Sequence, residues 1–522
     1  MPKKLFDLLN SSDLLPPLHA SESEQLARAV LNDLTQMSVY SRSINAASRS
    51  VFFLGRRDGD KKLAILSRSA DIPARFEGQT RTTSMEKDEL HLLIGPLSAE
   101  NARHLREILP FLSAKTIGLS KSAGCGDRLG LATPGHIRAI SKTGIAPIFA
   151  QQSVRENERT GRTPQQVLDD AMWGVFQENW RGGFGADADH LKTTRDIDAF
   201  AAAGYTFFTI DPGEFVDAGA DSATLAQISK KVEILPWDIL ESTPADMLRA
   251  LVDKTLDLGD FDLCLEEDQV LRAAAKYGNV IAHTVSMYRH LVEVMHNQPF
   301  ELEVSVDETD TVTTLSEHVY IAAELKRLEV AWLSMAPRYV GHFEKGVDFI
   351  GDLNHFGESF KQHVAVARHY GPYKLSLHSG SDKFSVYPIA AGLAGDLIHL
   401  KTAGTSYLEA LRTIAYYDPD LFRQIMNFAI ERYPEDRASY HVSAEISAVP
   451  EFNTRPDDRL GDLLDDFHAR EILHVTYGSV LNDSRLQRPF LETLLKHEDA
   501  YTEFVEKHFD RHFRLFEARI VD

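Results

Sequence analysis

Short apolar runs that end in polar residues recur through the middle of this chain. From 374 to 378, Leu375 and Leu377 alternate with polar neighbours, as in a half-buried strand. A polar turn with a glycine follows, and the order of strand, polar turn and helical pattern returns from 398 to 412. This order is typical of parallel α/β proteins, whose functional residues lie at the carboxyl ends of the strands.

Eight such runs predict an α/β fold, a (β/α)8 TIM-like barrel over residues 113–417. The predicted strands cover residues 116–120, 146–150, 182–189, 205–211, 301–307, 330–336, 374–378 and 398–402. An N-terminal accessory region is expected over residues 1–112 and a helical C-terminal extension over residues 418–522. A helical insertion at about 214–298, between the fourth and fifth strands, is expected to roof the site.

The composition of the chain limits the classes of partner and the location that we expect for the protein. The net charge of -21 argues against nucleic acid and anionic membranes, so an anionic ligand would need local cations. No apolar run reaches about 18 residues, which predicts no membrane span. Asp7 and Asp13 interrupt the first apolar run, which predicts no signal peptide. Cys125 and Cys264 form no CxxC pair, so we expect a reducing, cytoplasmic location. The oligomeric state stays open.

A glycine-rich loop follows the first predicted strand. Gly124 and Gly126 begin a GxGxxG pattern, but Leu129 stands in place of the third glycine. We therefore predict no bound NAD. Lys121, just before the loop, is predicted to bind a substrate oxygen or carboxylate; a plain tight turn is the alternative.

An acid and a histidine end the third predicted strand. Asp187 and Asp189 lie on one face of the strand, and His190 follows directly. At a strand's carboxyl end this pair suits proton transfer by Asp189 beside a metal ligand, His190. The alternative is a solvated loop pair.

The fifth predicted strand carries acids on one face. Glu301, Glu303, Ser305 and Asp307 alternate with apolar residues. Pointing them into a barrel without a metal or partner costs several kcal/mol. Glu303 is the predicted second proton-transfer group, with Asp307 and Glu308 as rivals. An exposed edge strand is the alternative.

Histidines at strand ends predict one divalent metal cation. His378 ends the seventh strand before a glycine turn, and His190 comes from the third. His342, beyond the sixth strand, is the predicted third ligand. Zn, Mn, Ni and Co all fit nitrogen and oxygen ligands of this kind. The rivals for the third position are Glu303, His318 and His355.

Cations cluster at the predicted strand ends, although any one of them is more often a surface charge. They are Lys121, Arg128, Arg338, Lys383 and Lys401. Five cations at one rim of an acidic protein favour a small anionic ligand. Lys121, Lys383 and Lys401 are the predicted substrate-binding residues.

The strings GFGADADHLKT, HSGSDKFSVYP and HLKTAGTSYLEALR resemble the bacterial tagaturonate/fructuronate epimerase family, and the likeness runs from about 117 to 412 and into the tail. The resemblance implies interconversion of D-tagaturonate and D-fructuronate at C4 with a divalent metal. The strand ends also resemble those of class II ketose aldolases. Asp189-His190 and the string from Leu377 to Ser381 match two aldolase positions, but the aldolase histidine of the sixth strand has no direct counterpart.

Chemistry gives this resemblance a mechanism. The C4 hydrogen of a 2-ketose is not α to the carbonyl, and no nicotinamide site is predicted, so retro-aldol cleavage between C3 and C4 is expected. In this hypothesis Asp189 takes the C4 hydroxyl proton and Glu303 acts on the other face. His190 and His378 hold the metal. The substrate carboxylate would be held by Lys383 or Lys401.

Three other functions stay open at this point. A class II-type aldolase acting on a sugar acid would release two fragments. An aldose–ketose isomerase of the xylose isomerase type would move hydrogen between C1 and C2. A non-catalytic sugar-acid binding protein would show no turnover.

Overall fold

The structure is a computed structural model that describes residues 3–17, 22, 25–26, 30–85 and 88–517. The remaining positions of the predicted N-terminal region and C-terminal extension lie outside the described residues. The bounds predicted for the regions, at 112/113 and 417/418, stay predictions.

An antiparallel sheet precedes the barrel. Its strands are β1 (Ser38–Val39), β2 (Asn45–Ala47), β3 (Ser50–Arg57), β4 (Asp60–Ser67), β5 (Gln79–Met85) and β6 (Asp88–Gly95). Side chains of β3 alternate between two cores: Val51 and Phe53 pack with the helix Lys3–Asn10, whereas Phe52 and Leu54 join the large core shared with the barrel. The short helix Asn32–Thr35 lies before this sheet, and the helix Ala99–Ile108 follows it.

Eight parallel strands close into a barrel, which confirms the predicted fold class. In chain order they are β7 (Ser122–Cys125), β8 (Ala146–Ser153), β9 (Gly185–Leu191), β10 (Phe207–Ile210), β13 (Glu301–Ser305), β14 (Ser334–Ala336), β15 (Lys374–Leu377) and β16 (Ile398–Thr402); β11 (Thr255–Asp257) and β12 (Asp262–Cys264) form a separate hairpin. Each barrel strand pairs with its neighbour in chain order, apart from that hairpin, and β16 pairs with β7.

The first strand was predicted too early in the chain. The segment 116–120 is not a strand: the backbone N–H groups of Ile117 and Gly118 donate to the Glu301 carboxylate, at 2.9 and 2.5 Å. The strand is formed instead by the small residues Ser122–Cys125, whose composition carries little strand signal. At Gly124 a β-carbon would lie 3.0 Å from the Gln151 side chain, so the interior leaves little room there.

Helices follow the barrel strands as a TIM-like barrel requires. They are Thr133–Ile140, Val154–Thr160, Pro164–Glu178, Thr194–Ala203, Leu315–Arg327, Leu353–Tyr370, Tyr387–Ala394 and Thr405–Tyr417. Between β10 and β13 the chain forms the helices Leu225–Glu233, Trp237–Leu240, Pro244–Leu251 and Glu267–Met295. After the barrel come Pro419–Asp436, Phe467–Val475, Tyr477–Asn482, Gln487–Lys496 and Glu498–Glu517.

The barrel interior is polar. Alternation along β13 turns Leu302 and Val304 toward the apolar core outside the barrel, so Glu301 and Glu303 face inward. On β16, Lys401 faces inward in the same way. The interior therefore carries charged side chains that must be paired with one another.

Within the described residues, no helix combines the length and the apolar character needed to cross a bilayer.

Candidate active site

Lys401 lies at the centre of the barrel and contacts three carboxylates. Its Nζ atom is 2.8 Å from Asp187 Oδ2, 2.6 Å from Asp189 Oδ1 and 2.9 Å from Glu303 Oε1. Only 3% of the Lys401 side chain is exposed. Burial alone would lower the pKa of Lys401, but the three carboxylates raise it well above its usual value. The ammonium group therefore stays charged and offsets the buried negative charge.

The two aspartates of β9 differ in their proton affinity. Burial, partly offset by Lys401, raises the pKa of Asp187 to about 7. Burial acts in the same direction on Asp189, but Lys401 and two neighbouring histidines hold the pKa of this carboxyl well below its usual value. Asp189 is therefore the ionised member of the pair, and unlike Asp187 it lines the cavity described below.

His378 follows β15 and lies between two carboxylates. Its Nε2 atom is 2.6 Å from Glu303 Oε1, and its Nδ1 atom is 3.0 Å from Asp307 Oδ1. Burial alone would lower the pKa of His378, but Asp307 and Glu303 raise it to about 9. The site therefore favours positive charge at this imidazole.

A β-bulge brings His190 to the same place. Strict alternation would turn His190 away from Asp189, but β9 shifts register against β10 here and His190 has a φ of +55°. The rings of His190 and His378 lie with their centroids 5.1 Å apart. His190 Nδ1 is 3.2 Å from Asp211 Oδ2, which orients the ring.

These two histidines form a group with Asp307 that suits a metal ion. One ligand atom from each of His190, Asp307 and His378 lies within 4.8 Å of the others. Two imidazoles and a carboxylate are a donor set for divalent transition metals. Each imidazole also has a carboxylate near it, Asp211 or Glu303, as the histidines of metal sites commonly do.

The predicted third ligand does not fit this geometry. His342 is exposed, and its backbone pairs with Ile350 in a loop beyond β14. His318 is buried outside the barrel, where its Nδ1 atom lies 2.8 Å from that of His363. His355 is exposed on the first turn of a helix. Asp307, which the sequence suggested only for proton transfer, is the third member of the group with His190 and His378.

Two of the predicted substrate-binding lysines lie away from the site. Lys121 precedes β7 at the amino end of the barrel, where its Nζ donates to the Phe516 carbonyl at 3.1 Å. Lys383 is fully buried and donates to the backbone carbonyls of Glu344 and Val347, at 2.7 and 2.5 Å. Neither ammonium group therefore faces the open space above the barrel.

A cavity opens above Lys401 and Asp189. Its walls are Arg128, Gln151, Ser153, Arg155, Glu156, Asp189, His190, Lys345, Gly346, His378, Ser379, Ser381, Lys401, Ala403, Tyr440 and His474. A second cavity adjoins it and is lined by Asp307, Glu308, Arg338 and Lys345 among others. Glu303 lines neither cavity, because it lies behind His378 and Lys401.

The roof does not come from the predicted insertion. Among the described residues that line the two cavities, none belongs to the segment 214–298. Tyr440 and His474 of the C-terminal extension cover the site, together with Lys345 from the loop after β14. The sequence offered no signal for these three residues, because none of them ends a strand.

Comparisons with known proteins indicate the family of this chain. A family model described as tagaturonate epimerase matches residues 40–516. The tagaturonate/fructuronate epimerase of Thermotoga maritima is 42% identical over 480 residues, which is 92% of this chain and 97% of that protein.

Solved structures extend the likeness to the fold. A glycerol complex of the fructuronate-tagaturonate epimerase from Cohnella laeviribosi superposes with a TM-score of 0.87 at 33% identity, covering 94% of this chain and 99% of that chain. The native structure of the same enzyme gives 0.87 at 32% identity, with 95% and 99% covered. This chain belongs to the tagaturonate epimerase family and is an isomerase of the epimerase class.

Proposed function

We propose that this enzyme interconverts D-tagaturonate and D-fructuronate by inverting C4, and that it needs a divalent cation. The observation that carries the proposal is the placement of His190, His378 and Asp307 around one point beside the ionised Asp189. The names of the relatives from Thermotoga maritima and Cohnella laeviribosi support the choice of substrate.

The chemistry favours cleavage of the C3–C4 bond. A cation held by the two histidines and Asp307 would supply positive charge beside the C2 ketone oxygen and the C3 hydroxyl, where negative charge develops on cleavage. The aldehyde fragment, which carries C4 to C6, then rotates in the site, and the C3–C4 bond re-forms on the other face of the aldehyde. No hydrogen leaves C4 in this route.

Asp189 is the proposed base for the C4 hydroxyl. It lines the cavity and stays ionised beside Lys401. After the aldehyde rotates, the new C4 alkoxide must receive a proton from its other side, while Asp189 returns the proton it took to solvent. Glu308 lines the adjoining cavity and is therefore better placed than Glu303 to relay a solvent proton to this oxygen. Its pairing with Arg155 at 2.9 Å keeps Glu308 ionised between turnovers. Glu303 then serves to position His378 and Lys401.

Turnover in deuterated water tests the proposal. We expect the metal-loaded enzyme to convert D-tagaturonate to D-fructuronate without placing deuterium at C4, because that hydrogen stays on the aldehyde carbon. Chelation is expected to abolish turnover and added Zn²⁺, Mn²⁺, Ni²⁺ or Co²⁺ to restore it. Deuterium at C4 would contradict bond cleavage, and full activity after complete metal removal would contradict the metal requirement.

We also propose a cytoplasmic setting. Cys125 and Cys264 are both free thiols, which suits a reducing compartment.

A further inference from the structure

A carboxylate on the substrate needs a cation on the cavity wall, and most cations there already bind protein carboxylates. Lys401 contacts three of them. Arg155 pairs with Glu308 at 2.9 Å. Arg128 is buried and pairs with Glu156 at 2.8 Å. Each of these cations would have to give up its partner to hold a ligand anion.

Lys345 is different. It lines both cavities, and within the described residues its side chain forms no hydrogen bond and no ion pair within 4 Å, although its charge helps to hold the pKa of the Glu308 carboxyl below its usual value. We infer that Lys345 binds the carboxylate of the sugar acid, an inference that rests on the proposed epimerisation. Lys345 replaces the three lysines predicted from the sequence as carboxylate ligands, Lys121, Lys383 and Lys401. The ammonium groups of all three already have protein partners.

The chemistry of the substrate indicates where the cation must lie. The carboxylate carbon, C6, is two bonds from C4 and therefore about 2.5 Å away from it. The two groups proposed to act on the C4 hydroxyl, Asp189 and Glu308, line different cavities, so C6 is expected near the boundary between them. Lys345 lines both cavities, whereas Arg338, whose side chain also lacks a partner within the described residues, lines only the adjoining one.

Buried cations fix the loop that presents Lys345. The backbone of His342 pairs with that of Ile350, which closes the loop at its base. Lys383 donates to the carbonyl groups of Glu344 and Val347, on either side of Lys345. Lys383, which the sequence predicted to bind the substrate carboxylate, therefore holds the backbone on both sides of Lys345.

Gly346 holds the next residue of this loop against the roof. Its carbonyl accepts a hydrogen bond of 2.5 Å from Arg470 Nε, and its φ is +74°. A β-carbon at Gly346 would lie 2.9 Å from the His474 ring. The loop thus approaches the C-terminal extension closely at the cavity wall, which restricts how Lys345 can move.

A lysine suits the proposed rotation of the aldehyde fragment within the site. An ammonium group holds a carboxylate as a compact point charge with three rotatable donors, whereas the planar fork of arginine fixes the carboxylate plane. The fragment that carries C4 to C6 can therefore rotate while its carboxylate stays bound. Retention of the fragment is what separates an epimerase from an aldolase that releases it.

The test compares Lys345→Gln with the unchanged enzyme, both loaded with metal. Two non-reacting probes that differ only in the carboxylate, D-galactonate and galactitol, are titrated by calorimetry, and kcat/KM is measured on D-tagaturonate. We expect Lys345→Gln to weaken D-galactonate binding and to lower kcat/KM at least about tenfold, as loss of a charged hydrogen bond does. Galactitol binding is expected to stay the same, and Lys345→Arg to restore D-galactonate binding.

Arg338→Gln is the matched control and should leave both affinities unchanged. The inference is overturned if Lys345→Gln keeps the preference for D-galactonate over galactitol, if Arg338→Gln loses it, or if the unchanged enzyme has no such preference. Calorimetry does not require turnover. If the enzyme binds D-galactonate through Lys345 but does not epimerise D-tagaturonate, the proposed function is wrong, whereas the inferred role of Lys345 in carboxylate binding is not contradicted.

Discussion

Replacing Lys401 with Met is expected to destabilise the fold strongly. The substitution leaves Asp187, Asp189 and Glu303 crowded in the barrel without their shared cation. Removing one partner from a buried ion pair costs about 3–5 kcal/mol, because the remaining charge is uncompensated. We expect a loss of this size in the free energy of unfolding, measured by chemical denaturation, together with loss of epimerase activity.

Lys374→Met is the matched control. Lys374 is also fully buried inside the barrel, but it donates to the Ser120 carbonyl and the Ser122 hydroxyl instead of to a carboxylate. Its loss is expected to cost about 1–3 kcal/mol. Adding Asp187→Asn to the Lys401→Met variant should recover part of the lost stability. Equal losses in the two single variants, or no recovery in the double variant, would contradict the claim that Lys401 stabilises the barrel through its charge.

Replacing His378 with Gln is expected to remove metal binding and turnover together. The imidazole lies beside Asp307 and within reach of His190, and glutamine keeps much of its volume but is a poor metal ligand. Loss of a ligand should weaken metal affinity at least about 100-fold, since even residues behind the ligands change it 10- to 100-fold. Metal content after dialysis and activity on D-tagaturonate measure the two effects.

His342→Gln is the matched control, because His342 is exposed and outside the group formed by His190, His378 and Asp307. We expect it to retain metal and activity. Thermal unfolding of the metal-free proteins shows whether the fold survives each change. If His378→Gln retains the metal, or His342→Gln loses it, the metal binds somewhere other than the group formed by His190, His378 and Asp307.

The barrel was predictable because its strands leave a local pattern. Glu303 alternates with Leu302 and Val304, and that alternation alone indicates a strand with one polar face. The segment 116–120 is the exception: its apolar run mimics a strand, yet its backbone N–H groups are bound by Glu301, which lies far along the chain. A long-range side-chain partner of this kind has no local signature.

The site was partly predictable for the same reason. Asp189, His190, His378 and Lys401 all lie at or near strand ends, where a barrel collects its functional groups, and the structure brings them together. Asp307 was visible as a strand-end acid, but its place beside His378 depends on how neighbouring strands are staggered.

Residues on loops and on the C-terminal extension were not predictable. Lys345 reaches the cavity only because Lys383 and Arg470 bind the backbone around it. Tyr440 and His474 reach it through packing of the extension over the barrel. Long-range contacts of this kind determine where these side chains lie, and the hydrophobic pattern of the local sequence does not reveal them.

X-ray absorption at the metal edge of the Zn²⁺-loaded enzyme tests the central claim most directly. Two imidazole nitrogens at about 2.0–2.1 Å, with oxygen donors at about 2.0–2.2 Å, are expected for a cation shared by His190, His378 and Asp307. The His378→Gln variant should lose one imidazole from this spectrum. A zinc environment without imidazole, or one that is identical in the variant, would contradict a cation shared between two strands of the barrel.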